Sequence, residues 1–219
     1  MNRLALMAFA GAALAGTAFE AKATEYIVNG GFEDGNFTSW TVVSGNPACT
    51  TCLAVYSLST GAGYGPNSGT YYAFLGTNPA STISQSFTDT LGQTLVVSFY
   101  YASNGDLNST PPNSNQLEAL FNGTAEFNQA NIASTGTVNG TTIPKYVEVT
   151  FDVIATGSDT LTFSSFDIPS ALALDDVTVT AVSATPLPAA LPLFASGLGA
   201  LGLFGWRRKR KNASAIAAA

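Results

Sequence analysis

What this chain can fold into is limited first by its punctuation. Turn-forming residues recur every ten or so positions, at Asn29-Gly30-Gly31, Gly61 to Gly69, Asn104-Gly105-Asp106, Pro111-Pro112-Asn113, Asn122-Gly123, Asn139-Gly140 and Gly157-Ser158-Asp159. Between them the apolar residues alternate with polar ones. From Tyr146 to Val153, the residues Val147, Val149, Phe151 and Val153 share one side of a strand, and Tyr146, Glu148, Thr150 and Asp152 share the other. Leu95, Val97, Phe99 and Tyr101 repeat the pattern, as do Leu161 with Phe163, Ile83 with Phe87, and Val177 with Val179. Tyr71 to Leu75 is apolar throughout and predicts a central strand. About eight to eleven short strands in ~160 residues predict an all-β two-sheet sandwich in preference to a closed barrel. The stretch from Asn104 to Asn115, rich in Ser, Asn and Pro, is a candidate rim for a binding site.

The two ends of the chain obey a different rule. Arg3, the apolar stretch Leu4 to Phe19 and the Ala21-Lys22-Ala23 pattern predict a cleaved signal peptide over residues 1–23. Residues 24–180 then form the domain and 181–185 a linker. From Leu187 to Trp206 no residue is charged. At 1.5 Å per residue, ~20 helical residues just cross a hydrocarbon core of ~30 Å, so 187–206 predicts a single transmembrane helix. The basic run Arg207, Arg208, Lys209, Arg210 and Lys211 follows as a stop-transfer cluster that stays cytoplasmic, which puts the domain outside; residues 212–219 are a tail.

Charge is divided sharply between these parts. Lys145 is the one cation of the exported portion and thirteen acids accompany it, a formal charge of −12. Nucleic acid is excluded as a partner because phosphate binding needs clustered cations, anionic polysaccharides are disfavoured for the same reason, and neutral polysaccharides and divalent cations are compatible. The chain has no histidine, which removes Ser-His-Asp and Cys-His catalysis. Cys49 and Cys52, spaced C-x-x-C, read as a small disulfide ring in an exported loop. Acids are plentiful, but no pair is marked as a glycosidase couple, so the chain reads as not an enzyme, with a secreted glycan hydrolase as the weaker alternative. A sugar site would need aromatic platforms and hydrogen-bonding groups. Tyr71, Tyr72, Tyr100 and Tyr101 are the candidates, with Tyr64, Asn67, Gln85, Asn104 and Gln116 around them.

Two resemblances add to this reading. Pro186, Leu187, Pro188 and Ala189, followed by the short apolar span and the basic cluster, resemble a PEP-CTERM sorting signal of the VPLPA type, with Thr185 in place of the valine. The resemblance implies processing by an exosortase in the inner membrane of a Gram-negative bacterium. The anchored precursor would then pass to the cell surface or to an exopolysaccharide matrix.

Val28 to Trp40, with its N-G-x-F-E core, and Leu172 to Val179, with L-D-D-V-x-V, are similar to the first and last strands of galactose-binding-like jelly rolls found in carbohydrate-binding modules. That likeness implies a structural Ca²⁺ clamping first strand to last, with Glu33, Asp175 and Asp176 among its ligands, and Trp40 packed in the core. Three converging carboxylates would repel one another unless a hard cation or protons neutralised them. The expected function is a non-catalytic, carbohydrate-binding surface protein; the alternative is a purely structural surface or biofilm component without a ligand pocket.

Overall fold

A computed structural model describes residues 23–59, 63–105, 114–137, 143–167 and 171–182, together with the single positions Phe194 and Leu198. The chain divides into two compact units, and everything below concerns the unit Ala23–Val182. In the other unit Phe194 and Leu198 are helical and exposed. The signal sequence before residue 23, the motif Pro186 to Ala189 and the basic cluster Arg207 to Lys211 lie outside the described residues, as does the predicted span apart from those two positions. Among the described residues no helix is long and apolar enough to cross a membrane.

Ten strands form the described part of the domain: β1 (Thr41–Val43), β2 (Leu53–Ser57), β3 (Tyr71–Leu75), β4 (Ser81–Thr88), β5 (Thr94–Ser103), β6 (Asn115–Phe121), β7 (Thr124–Ala130), β8 (Val147–Ile154), β9 (Ser158–Asp167) and β10 (Leu172–Ala181). They pair antiparallel in two five-stranded sheets, ordered β1-β4-β9-β6-β7 and β2-β3-β10-β5-β8. The two-sheet sandwich predicted from the alternation is therefore the fold. Its inner residues are the ones that alternation singled out: Leu95, Val97 and Phe99 on β5, Leu161 and Phe163 on β9, and Val177 and Val179 on β10 are all buried. Each such side chain contributes about 1.5–3 kcal/mol relative to exposure. Phe163 meets Phe99 edge-on at 4.9 Å, and Trp40 packs beside Phe32 and Phe163 while its indole N–H donates to the Asn29 carbonyl.

The first and last segments are laced together. Glu25 bridges Thr180, the Tyr26 N–H donates to the Val179 carbonyl, and the Val177 N–H donates to the Gly30 carbonyl. Gly30 is dictated by this approach, because a Cβ there would lie 1.9 Å from the Val177 carbonyl oxygen. Gln85 on β4 secures the same segment from the other sheet: its amide accepts from the Val28 N–H at 2.8 Å and donates to the Val28 carbonyl at 2.9 Å. The Gln85 side chain thus completes a backbone ladder that no strand supplies, and it is not available to a ligand.

Candidate functional site

The outer face of the β2-β3-β10-β5-β8 sheet is not left to solvent. Tyr72 on β3, Ala173 on β10 and Ala102 on β5 form a second buried cluster with Tyr64, flanked by Tyr56, Phe74 and Tyr146. The segment around Tyr64 lies over the sheet and is pinned from both ends: the Tyr64 hydroxyl donates to the Ala171 carbonyl, and the Tyr146 hydroxyl donates to the Gly65 carbonyl at 2.9 Å. Burial raises the Tyr72 hydroxyl to about 12, with Tyr64 adding to it, and among the described residues that hydroxyl has no hydrogen-bond partner. Burial likewise raises Tyr146, helped by the charge of Asp175.

The same connection, from β2 to β3, receives the three carboxylates. Asp175 follows Leu174 on β10 at a bulge that shifts the register between Asp175 and Thr178, and Asp176 takes φ 50° there. The Asp175 side chain is completely buried. Its Oδ2 accepts from the N–H groups of Asn67 (2.8 Å) and Ser68 (3.3 Å), and its Oδ1 accepts from the Asp176 N–H. Asp176 accepts from the Asn67 amide at 2.8 Å and the Ser68 hydroxyl at 2.7 Å. Glu33 accepts from the N–H groups of Thr70 and Tyr71. Gly69, with φ 64°, makes room for it: a Cβ there would fall 2.2 Å from Glu33 Oε1.

Asp175, Asp176 and the Glu33 stem border one small space, the side-chain position that Gly31 leaves vacant, while the Glu33 carboxylate turns away to Thr70 and Tyr71. A Cβ on Gly31 would lie 3.5 Å from Asp176 Oδ1, 3.7 Å from Glu33 Cγ and 3.9 Å from Asp175 Oδ1. Burial first, and the neighbouring Asp176 second, push the Asp175 carboxyl up to about 7. The donor set is all oxygen, which suits a hard cation. As they stand, however, the carboxylates are turned toward loop donors, and among the described residues no group of three acidic, histidine or cysteine side chains is arranged to hold a metal ion.

Two clefts open beside this loop. One, of about 460 Å³, is lined by Gly65, Asn67, Ile143, Pro144, Lys145 and Tyr146; the other, of about 470 Å³, by Ser57, Ser59, Gly69, Thr70 and Tyr71. Leu58 and Pro66 line both, so they form the ridge between them, and Leu58 is 57% exposed on it. Each volume lies within the ~300–1,000 Å³ of ordinary ligand sites.

Of the four tyrosines expected to bind ligand, Tyr71 lines an open cleft. Tyr72 and Tyr101 are corrections. Both are buried, one beneath the loop and one in the sandwich core, where the Tyr101 hydroxyl donates to Gln129 at 2.9 Å and burial raises its pKa. Tyr100 is half-buried and raised chiefly by its hydrogen bond to Glu148. Tyr146, Leu58 and Pro66 were not anticipated as lining residues, since no periodicity marks where a connecting loop will fold.

Cys49 and Cys52 are disulfide-bonded, with Cα atoms 5.4 Å apart, in the turn before β2. A separate carboxylate pair, Asp89 and Asp159, fastens loops: Asp89 accepts from the Gly157 N–H, and Asp159 accepts from Asn122 and from the Thr156 N–H and hydroxyl. Burial and the adjacent Asp159 raise Asp89; burial opposes ionisation of Asp159 too, but the donors from Thr156 and Asn122 outweigh it and hold Asp159 low.

The arrangement defines a class by shape. No family model matches the chain, and no curated protein matches it. Solved structures do match. The TmCBM61 domain, solved in complex with β-1,4-galactotriose, has a TM-score of 0.51 at 18% identity, covering 73% of this chain and 99% of that one. The K1 cleaved adhesin domain of Lys-gingipain from Porphyromonas gingivalis W83 has a TM-score of 0.51 at 14% identity, covering 74% and 100%. At such identities the likeness is one of fold alone, a two-sheet, jelly-roll-like β-sandwich.

Proposed function

We propose that this chain is an exported bacterial protein, carried by its C-terminal segment to the cell surface or an exopolysaccharide matrix, whose sandwich binds carbohydrate without catalysing a reaction. The observation that carries the binding reading is the pair of clefts that share Leu58 and Pro66, one with Tyr146, the Asn67 amide and Lys145 in its wall, the other with Tyr71 and the hydroxyls of Ser57, Ser59 and Thr70. An amphipathic ring beside a few hydrogen-bonding groups is what a sugar requires. The fold, shared with a domain solved with a bound galactotriose, is consistent with it. The charge of −12 directs the domain toward glycans that are neutral over most of their length. Ca²⁺ belongs to the proposal as a structural ion, taken by Glu33, Asp175 and Asp176 in exchange for the hydrogen bonds they make to the β2–β3 loop. Chelation should then lower the melting temperature, and Asp176→Ala should abolish the chelator's effect.

A second reading is a structural surface component, favoured by the burial of Tyr64 and Tyr72 beneath their own loop. The unit 23–182 contains both sheets and their core, so it can be produced alone. A glycan array probed with it, with and without Ca²⁺, separates the two. Selective binding to a polysaccharide supports the first reading, and silence across the array supports the second. The sorting part has its own test: replacing Pro186 to Ala189 by a Gly-Ser stretch should leave the full chain uncut in the inner membrane, and unchanged processing would remove the exosortase from the account.

A further inference from the structure

Resting on the carbohydrate-binding reading, we propose that the two clefts act as one groove for the interior of a glycan chain, and that Lys145 selects chains carrying an occasional carboxylate, such as a uronate or an acidic substituent, on an otherwise neutral backbone. The clefts are contiguous because Leu58 and Pro66 line both, so an extended chain crosses the ridge with a tyrosine on each side. Lys145 is the one cation between residues 24 and 185, and it stands in the wall of one of these clefts. It is exposed, and among the described residues no carboxylate comes within ion-pairing distance of its ammonium, although twelve of the domain's acids are described. In so acidic a domain an ammonium left without an internal partner is available to an external one.

Its backbone is held. Thr137 bridges Pro144, the Lys145 N–H donates to the Gly136 carbonyl at 2.8 Å, and the next residue, Tyr146, is tied to Gly65. The ammonium therefore hangs from a fixed stretch of chain beside a ring that forms the same wall. Charge also limits the density of carboxylates on the ligand. A polymer with an acid on every sugar meets the field of thirteen carboxylates, whereas a sparse one presents a single anion to Lys145 and neutral sugars to the rest, charges beyond ~8 Å being screened at physiological salt.

The test uses residues 23–182 and matched oligosaccharides differing only in acidity: xylohexaose carrying one glucuronate branch as the free acid or as its methyl ester, and oligogalacturonate that is fully methyl-esterified, sparsely de-esterified or fully de-esterified. By calorimetric titration the sparsely acidic member of a pair should bind roughly tenfold more tightly, as one charge-assisted hydrogen bond allows. K145Q should level the pair, K145R should preserve the preference, and raising the salt should shrink it. L58D, at an exposed ridge position, should weaken both members. If neutral members bind and acidity adds nothing, or K145Q leaves the preference intact, the role of Lys145 is overturned and carbohydrate binding stands. If the fully de-esterified polymer binds best, the sparse-charge argument fails. If no member of any pair binds while L58D changes nothing, both this inference and the reading beneath it fall.

Discussion

The two outer faces of this sandwich are built from the same kind of strand and have opposite fates. On the β1-β4-β9-β6-β7 sheet the outward positions are polar: Thr82, Ser84 and Ser86 on β4 stand opposite Ser164, Thr162 and Thr160 on β9, and Gln116, Glu118 and Asn128 bond one another on β6 and β7. Ser86 and Thr160 lie within hydrogen-bonding distance at 2.8 Å. On the β2-β3-β10-β5-β8 sheet the outward positions are Tyr56, Tyr72, Phe74, Ala102 and Ala173, and a loop is drawn over them. Aromatic area on an outer face must be covered by something. Covering it here created the clefts, buried Asp175 and collected the carboxylates.

That contrast can be broken, and the largest effect comes first. Tyr72→Ala removes the centre of the covered face and should cost about 3–5 kcal/mol in urea unfolding, as large-to-small core changes do; Thr162→Ala on the bare face should change stability by no more than about 0.5 kcal/mol. Similar costs at the two positions would mean the loop does not seal the face.

A pH series sharpens the comparison next. Asp175 is pushed up to about 7 by burial and then by Asp176, against ~4 in an unfolded chain. The folded state holds this proton more tightly, so in metal-free protein its stabilising contribution is full below pH ~4 and lost as pH rises through about 7. Asp175→Asn should flatten that slope in thermal melts, leaving the part that Asp89, also raised by burial, contributes in the same direction.

The smallest effect is the most specific. The Tyr72 hydroxyl is buried without a partner among the described residues, so Tyr72→Phe should raise stability by about 1 kcal/mol. A loss of that size would show that the hydroxyl is satisfied in solution.

Much of the fold was legible because burial on one side of a strand imposes period two. Val147 to Val153 and Leu95 to Tyr101 announced β8 and β5, and Tyr71 to Leu75 is β3 residue for residue. β7 was not legible: its residues are exposed or, at Phe127, half-buried, so no alternation survives. β1 is three exposed residues, too short to carry a pattern. At the site, adjacent tyrosines were the difficulty. In Tyr71-Tyr72 and Tyr100-Tyr101 the pleat sends one ring to each face. Composition cannot say which ring stays open when the outer face is also covered. Convergence of Glu33 with Asp175 and Asp176 was expected only through the resemblance of the two end segments. The register that sets Asp175 and Asp176 beside Gly31 depends on a bulge that the sequence does not display, and the Glu33 carboxylate is held apart from them by Thr70 and Tyr71.

The account stands on glycan binding at the covered face, and amide chemical-shift mapping tests this most directly. Uniformly labelled 23–182 would be titrated with the tightest oligosaccharide from the array. The account predicts shifts at Leu58, Asn67, Thr70, Tyr71 and Tyr146, with Thr82, Ser84 and Thr162 unmoved. Shifts confined to those hydroxyl-bearing positions of the opposite sheet, or none at saturating ligand, would contradict it.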